Sequence, residues 1–206
     1  KPVYDKTLRQ YLPKKISSYN GIPVKDKALF DITERNPYKP KAMEIIRSEV
    51  NKGDEVVDIA AGYGIFSVVA AENGASVRSY DADPKKVELA RKTAELSFVE
   101  DEIDVKQAIV GKIVTPAVNP SMDESIPRIG SIPECDLLIL DVEGAETEIL
   151  QNLQHSPRTI LVEAHPDLGA SVEQVTNILE EQGYTTNSVV DMENHSNYFI
   201  NSEISS

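Results

Sequence analysis

The sequence contains one cysteine in 206 residues and no long run of apolar residues. A single thiol, Cys135, excludes an internal disulfide framework and is typical of a reducing compartment. No apolar stretch approaches the roughly 18 residues that cross a bilayer, and no secretory signal pattern is present. We therefore expect a cytoplasmic protein without a membrane partner, in which Cys135 packs in the core.

Basic residues are also scarce. The chain has 21 lysines and arginines against 34 aspartates and glutamates, a formal net charge of −13. Proteins that bind the phosphate backbone rely on clustered lysine and arginine and on counterion release. The charge therefore argues against nucleic acid as a partner.

No internal repeat or low-complexity tract divides the chain, and 206 residues with 40% hydrophobic content suit one domain. We expect residues 41–206 to form this domain and residues 1–40 to cap it. Residues 111–134 contain four prolines, which forbid a long helix. We expect this stretch to be an irregular crossover that covers the site as a lid.

From residue 41 onward, short apolar runs alternate with segments of helical period, which is typical of βαβ units. The predicted fold is α/β, a Rossmann-like doubly wound sheet that is mostly parallel. The expected strands are 55–59, 76–80, 103–110, 136–140 and 158–163, followed by an antiparallel pair within 187–200. Before residue 41, we expect a short helix over 4–11 and a hairpin turn at Asn20-Gly21.

A nucleoside site is predicted where the first of these strands ends. Residues 58–64, Asp-Ile-Ala-Ala-Gly-Tyr-Gly, lead directly into a helix, so their glycines lie where a backbone can approach a ligand closely. Asp81 ends the second strand, where a carboxylate can accept both hydroxyls of a ribose. Asp81 could instead cap the following helix, a role for which Asp83 competes.

The loop favours S-adenosylmethionine (SAM) over a nicotinamide dinucleotide. Ser67 stands where a dinucleotide fingerprint requires a small residue. The fingerprint of a nicotinamide dinucleotide site is therefore not excluded by this position. However, Asp58 would repel a pyrophosphate and can pair with the cationic amino group of the methionine moiety. The expected cofactor contacts are Asp58, Ala60, Ala61, Gly62, Tyr63, Gly64, Asp81, Ala82, Ala108 and Asp141.

With this loop, with Tyr80-Asp81-Ala82-Asp83-Pro84 and with residues 136–146, the chain resembles the FkbM-like branch of class I SAM-dependent methyltransferases. The most specific motif of that family is similar to residues 138–146, Leu138-Ile139-Leu140-Asp141-Val142-Glu143-Gly144-Ala145-Glu146. The resemblance covers roughly residues 40–190. It implies a seven-stranded sheet with an antiparallel last strand, SAM across the strand ends, and O-methylation of a small molecule or sugar.

Three features depart from the family pattern. Ala60 stands where many class I enzymes have glycine, and Ile139 stands where family members often have lysine. The crossover 111–134 is rich in proline and is expected to lack the family's helix.

The reaction is expected at the ends of the fourth and fifth strands. Asp141 and Glu143 could hold the cationic cofactor or accept a proton, and His165 is a candidate general base because its ordinary pKa suits proton transfer near neutrality. In the alternative interpretation, Glu143 and Glu146 complement a helix dipole, and His165 bonds to backbone. Asp141, Glu163 and His165 could also hold a divalent cation.

The leading hypothesis is therefore a SAM-dependent O-methyltransferase with Asp141, Glu143 and His165 as catalytic residues and a small-molecule or sugar acceptor. A non-catalytic SAM-binding regulatory module would keep the loop and Asp81 without a usable acceptor pocket. An NAD-dependent oxidoreductase is the third alternative.

Overall fold

The computed structural model describes residues 13–28, 38–110, 126–191 and 197–205. Its helices are α1 (Pro40–Glu49), α2 (Ile65–Glu72), α3 (Pro84–Ser97), α4 (Glu146–Gln151) and α5 (Val172–Glu181). Its strands are β1 (Lys14–Tyr19), β2 (Ile22–Ala28), β3 (Glu55–Ile59), β4 (Ser76–Asp81), β5 (Ile103–Gln107), β6 (Ile109–Val110), β7 (Arg128–Ile129), β8 (Leu137–Leu140), β9 (Thr159–Ala164), β10 (Tyr184–Asp191) and β11 (Tyr198–Ile204). None of the helices in these ranges is long and apolar enough to cross a membrane.

Seven strands form one sheet in the order β10-β11-β9-β8-β3-β4-β5. Pairing is parallel from β9 through β5, whereas β11 runs antiparallel to both β9 and β10. The predicted α/β class, the mostly parallel sheet and the antiparallel last strand are thus confirmed. The carboxyl ends of β3, β4, β8 and β9 meet at one edge, where such sheets bind ligands.

Both faces of the sheet are covered by helices. One core cluster contains α2, which is buried from Ile65 to Ala71, together with apolar residues of α1 and α3. The other contains apolar residues of α4 and α5, among them Leu150 and Leu179, which are fully buried. The central strands are apolar without alternation because each of their faces meets a helix layer.

The hairpin β1–β2 confirms the predicted turn. Asn20 and Gly21 both have positive φ, 53° and 94°, as a two-residue turn of the favoured twist requires. Strand β2 packs against α3, and Ile22 and Val24 are buried in the first core cluster. That the whole of residues 1–40 caps a domain formed by residues 41–206 stays a prediction, and the helix expected over 4–11 lies outside the described residues.

The strand predicted over 103–110 is wrong in extent. The main-sheet strand ends at Gln107, and Ala108 donates its N–H to the carbonyl of Asp81 at 3.0 Å. Ile109 and Val110 then pair with Arg128 and Ile129 in a separate two-stranded sheet. Most of the expected lid, residues 111–125, lies outside the described residues.

Candidate active site

The loop after β3 turns through three residues with positive φ: Ala60 at 60°, Gly62 at 58° and Gly64 at 74°. The N–H of Gly64 donates to the carbonyl of Ala61 at 2.7 Å and closes the turn before α2 begins. A left-handed conformation costs a residue with a Cβ about 1–2 kcal/mol. Ala60 therefore adopts the backbone conformation of a glycine, and the alanine at this position preserves the close turn.

The two glycines of the loop serve different purposes. A Cβ on Gly64 would lie 3.0 Å from both Cα and Cβ of Ala90, so Gly64 allows α3 to pack against the start of α2. A Cβ on Gly62 would approach only the carbonyl oxygen of Ala60, at 3.8 Å. Apart from its chain neighbours, no other described residue lies within 4 Å of this position, so a ligand lying on the loop can approach the backbone of Gly62.

Gly64→Ala is expected to destabilise the fold by about 2–4 kcal/mol, from overpacking against Ala90 and from left-handed strain. Gly62→Ala is the matched control, because it adds the same Cβ at positive φ without a clash and should cost about 1 kcal/mol. Urea denaturation of both variants measures the difference. Equal costs for the two variants would contradict the assignment of Gly64 to packing.

Asp81 supports the loop from the end of β4. Its carboxylate accepts the N–H of Gly62 at 2.9 Å and the N–H of Asp83 at 2.9 Å. Asp83, rather than Asp81, caps α3 by accepting the N–H of Lys85. Burial raises the pKa of Asp81 above its ordinary value, although the two N–H donors oppose the rise. Asp81 is thus left at the loop with acceptor capacity for a diol.

Ala82 and Ala108, the other two cofactor contacts expected beside Asp81, lie next to it in the structure. The side-chain amide of Gln107 donates to the carbonyl of Ala82 at 3.1 Å, and buried Ala108 bonds to the backbone of Asp81. Their roles as cofactor contacts stay predictions.

Asp58, at the carboxyl end of β3, is 1% exposed. It accepts the hydroxyl of Ser67 at 2.5 Å, and Ser67 also bonds to the hydroxyl of Ser79 at 2.8 Å. Burial, with the nearby charges of Asp141 and Asp81, raises the pKa of Asp58 to about 7. A cation bound next to Asp58 would therefore favour its ionised form.

Tyr63 links the loop to the N-terminal hairpin. Its ring stacks on Tyr19 of β1 with centroids 6.0 Å apart, and Nζ of Lys86 lies 4.1 Å from its centroid. The Tyr19 ring also meets Tyr38 edge-on at 5.8 Å. A chain of aromatic contacts thus connects the loop with the residues that precede α1.

Asp141, Glu163 and His165 come together where β8 and β9 end. Nε2 of His165 lies 3.8 Å from Oδ1 of Asp141 and 3.8 Å from Oε1 of Glu163. Lys39 hydrogen-bonds to both carboxylates, at 2.5 Å from Oδ2 of Asp141. The sequence predicted the first three side chains at this edge, and the structure adds the lysine.

A buried carboxylate holds the ring of His165. Nδ1 of His165 lies 2.5 Å from Oε1 of Glu146, which also accepts the N–H of Gly144 at 3.1 Å. We assign the proton of the neutral His165 ring to Nδ1, which faces this acceptor oxygen, so Nε2 is left to accept a proton. Burial lowers the pKa of His165, but Glu146 and the other nearby carboxylates outweigh burial, so the net shift is upward.

One ammonium group lies between two carboxylates. Burial disfavours the charge of Lys39, yet Asp141 and its other neighbours hold its pKa above the ordinary value. The pKa of Asp141 is lowered because the charge of Lys39 overcomes burial. Burial and the charge of Asp141 raise the pKa of Glu163 to about 7. The charge of Lys39 therefore favours the ionised form of Asp141 more strongly than that of Glu163.

Glu143 does not join this cluster. It is exposed and has a positive φ of 49°, in the turn before α4. Ile139, at the position where lysine is frequent in the family, is fully buried in the core. The lysine side chain that reaches Asp141 and Glu163 at the sheet edge is instead that of Lys39, which directly precedes α1.

Three site residues were not predicted in their roles. Lys39 lies 102 positions before Asp141 and carries no local motif. Asn197, just before β11, donates its amide to Oε1 of Glu163 at 3.0 Å. Glu146 was interpreted as a complement to a helix dipole, but it is fully buried and its Oε2 has no hydrogen-bond partner among the described residues.

The methyltransferase FkbM domain family matches residues 34–186 of the chain. The ribosomal protein L11 methyltransferase of Bacillus subtilis (strain 168) is 28% identical over 167 residues, covering 78% of this chain and 47% of the relative. That of Bacillus velezensis is 41% identical over 76 residues, 36% of this chain and 24% of the relative. The chain thus spans about half or less of the length of these curated relatives.

Solved structures share the fold. The tRNA m1G37 methyltransferase of M. jannaschii superimposes with a TM-score of 0.63 at 16% identity, covering 95% of this chain and 58% of that chain. TYW2 of M. jannaschii in complex with AdoMet gives a TM-score of 0.59 at 12% identity, covering 93% and 85%. The architecture is that of the class I methyltransferases.

Proposed function

The chain belongs to the FkbM methyltransferase domain family, and from this premise we propose that it binds SAM and transfers the methyl group to a hydroxyl of a small molecule or sugar. The observation that carries the proposal is the Glu146–His165 pair. With the proton of the neutral ring on Nδ1, the pair presents Nε2 as a proton acceptor beside Asp141 and Glu163, on the sheet edge that also carries the loop 58–64 and Asp81.

The residues of the loop suit SAM. The open space at Gly62 gives a ligand access to the backbone, and Asp81 has acceptor capacity for the ribose hydroxyls. Asp58 and Asp141 place negative charge where the cofactor's cationic groups would lie. Tyr63, Ala82 and Ala108 complete the proposed contacts, with Ala60, Ala61 and Gly64 shaping the turn.

When bound, SAM supplies a methyl group on a sulfonium, and transfer to a hydroxyl oxygen breaks the carbon–sulfur bond, leaves the electron pair on sulfur and releases the hydroxyl proton. His165 accepts that proton at Nε2. Glu146 fixes the ring and stabilises the imidazolium that forms. Asp141 acts through its charge, and the exposed position of Glu143 favours His165 over it as the base.

The charges favour a neutral acceptor. Among the described residues, the acidic side chains Asp58, Asp141, Glu146 and Glu163 lie near two basic ones, Lys39 and His165, and the full chain carries a net charge of −13. An anionic acceptor such as RNA would meet electrostatic repulsion.

A non-catalytic SAM-binding module would have no use for a buried, oriented histidine. The single cysteine supports a cytoplasmic location for the proposed enzyme.

A protein acceptor is a second candidate. The curated relatives named above are ribosomal protein L11 methyltransferases. The acidic balance of this chain would attract a basic protein partner.

The acceptor class can be tested by incubating the chain with SAM carrying a tritiated methyl group and separate panels of sugars and polyols, phenols, amines, ribosomal protein L11 and tRNA. We expect label in an ether product from a hydroxyl panel. Asp81→Ala, assayed in parallel, should lose the signal because it lacks the ribose acceptor. Label confined to protein or to tRNA would contradict the hydroxyl proposal while leaving methyl transfer intact.

A further inference from the structure

Lys39 is a buried cation of the candidate active site that comes from a distant part of the chain. Its Nζ hydrogen-bonds to Oδ2 of Asp141 and Oε2 of Glu163. The rings of Tyr38, Phe66 and Phe199 lie around it, with centroids 5.2–5.9 Å from Nζ. Water is thus largely replaced around the ammonium by two carboxylates and three aromatic faces, which strengthens its electrostatic interactions.

The ammonium lies where a divalent cation could otherwise bind. One ligand atom each from Asp141, Glu163 and His165 lies within 4.8 Å of the others, a spacing that suits a metal ion. Lys39 already bonds to two of the three. A metal at this position would have to displace the ammonium from both carboxylates.

We propose that Lys39 is the resident cation of the acceptor site, that it takes the place of a divalent ion there, and that it donates its third N–H to the acceptor oxygen. This inference rests on the proposed function, because it assumes an oxygen acceptor beside His165. It assigns to this lysine the orientation of the acceptor that a metal ion provides in metal-assisted methyl transfer.

The donor count supports this assignment. A lysine ammonium has three N–H donors, and two are used by the carboxylates. Among the described residues, no third hydrogen bond joins Nζ, and the side chain keeps 18% exposure. An acceptor hydroxyl bound there would lie next to His165. Its proton could pass to Nε2 while Lys39 stabilises the negative charge that develops on the oxygen.

The hairpin turn positions Lys39. The side chain of Asn20 donates to the carbonyl of Tyr38 at 2.7 Å and accepts the N–H of Tyr38 at 3.3 Å. Lys39 itself has a left-handed backbone, φ 44° and ψ 53°, directly before Pro40 at the start of α1. Because the side chain of Asn20 holds both the N–H and the carbonyl of Tyr38, the residue before Lys39, Asn20 acts as a positioning residue for the ammonium.

The first test uses MnCl₂ alone, titrated by calorimetry into the unmodified chain, Lys39→Ala and the matched control Lys41→Ala, which changes an exposed lysine of α1. We expect binding of one Mn²⁺ per chain in Lys39→Ala only, and its loss in the double variant Lys39→Ala with Glu163→Gln. Stoichiometric Mn²⁺ binding by the unmodified chain, lost on Glu163→Gln, would overturn the proposal. So would a folded Lys39→Ala that binds no Mn²⁺.

The second test measures turnover with an acceptor from the hydroxyl panel. Lys39→Met should lower kcat about 10²- to 10³-fold, as loss of a donor to a developing oxyanion does. Lys39→Arg should restore part of the loss, and turnover of the unmodified chain should be unchanged by EDTA. Unchanged kcat in Lys39→Met, or inactivation by EDTA, would overturn the proposal.

Asn20→Gly tests the positioning role because glycine keeps the left-handed turn and removes the amide. It should lower kcat with little change in KM for SAM, whereas a general loss of structure would also change KM. Equal kcat in Asn20→Gly and the unmodified chain would show that Asn20 does not position Lys39. S-adenosylhomocysteine (SAH) binding is measured for every variant. Failure of the unmodified chain to bind SAH would reject the proposed function, whereas the Mn²⁺ titrations are read without cofactor or acceptor.

Discussion

Replacing His165 by glutamine is expected to lower kcat about 10³-fold, the middle of the range for loss of a general base. Glutamine keeps a polar side chain of similar reach, but it cannot take the hydroxyl proton. The affinity for SAH should stay within about twofold, because His165 directly follows β9, whereas the loop 58–64 begins in the last residues of β3. Single-turnover kinetics and calorimetry with SAH measure the two effects separately.

His155→Gln is the matched control for this variant. His155 lies outside the cluster, where its Nε2 is 3.6 Å from the sulfur of Cys135. The same substitution there should leave kcat unchanged. Equal activity of His165→Gln and His155→Gln would remove His165 from the reaction.

The pH dependence provides an independent check on the Glu146–His165 pair. The base must be neutral, and the pKa of His165 lies above its ordinary value, so activity is lost as the pH falls through that raised pKa. The acid limb of kcat/KM is therefore expected above about pH 6.5. Glu146→Gln keeps an acceptor oxygen for Nδ1 but removes the negative charge that raises the pKa of His165, so the acid limb of this variant should move to lower pH. An unmoved limb would show that another group is the base.

The central βαβ units could be predicted from the sequence because local signals define them. Asp83-Pro84 begins α3 with a side-chain cap, and Gly183 follows α5 with a positive φ of 87°. The end of β5 was not predictable in this way. Residues 103–110 are one apolar-rich stretch, but Ala108 bonds to Asp81 and Ile109 to Pro127, and these partners lie far away in sequence.

Some residues of the candidate site could likewise be predicted from the sequence, and others could not. Asp58, Asp81, Asp141 and His165 were predicted at one edge because parallel strands place their carboxyl ends together. Lys39 and Asn197 depend on how residues outside the parallel strands lie against the sheet, and no spacing in the sequence reveals that. The role of Glu146 depends on its burial next to His165. A glutamate in the first turn of a helix does not by itself indicate such burial.

Asp81→Ala should weaken SAH binding by about 100-fold or more, because a carboxylate that accepts two hydroxyls contributes about 1.5–3 kcal/mol for each hydrogen bond. The variant also frees the N–H of Gly62, which Asp81 holds at 2.9 Å. Both effects act on the same loop, and neither concerns the acceptor. Asp81→Asn keeps one acceptor oxygen, so its affinity for SAH should lie between that of the unmodified chain and that of Asp81→Ala.

Asp83→Ala is the matched control two residues away. It removes the cap of α3, where the side chain accepts the N–H of Lys85 at 2.8 Å. Loss of a cap costs about 1 kcal/mol of stability. Its affinity for SAH should stay close to that of the unmodified chain, which separates cofactor binding from local helix stability.

The decisive measurement is the titration of SAH, with NAD in parallel, into the unmodified chain and Asp81→Ala. At about 100 times its dissociation constant, SAH should stabilise the unmodified chain by about 2.7 kcal/mol, a shift of several degrees in Tm. It should leave Asp81→Ala nearly unshifted. Equal SAH binding by both proteins, or binding of NAD alone, would contradict the assignment of the loop 58–64 and Asp81 to SAM.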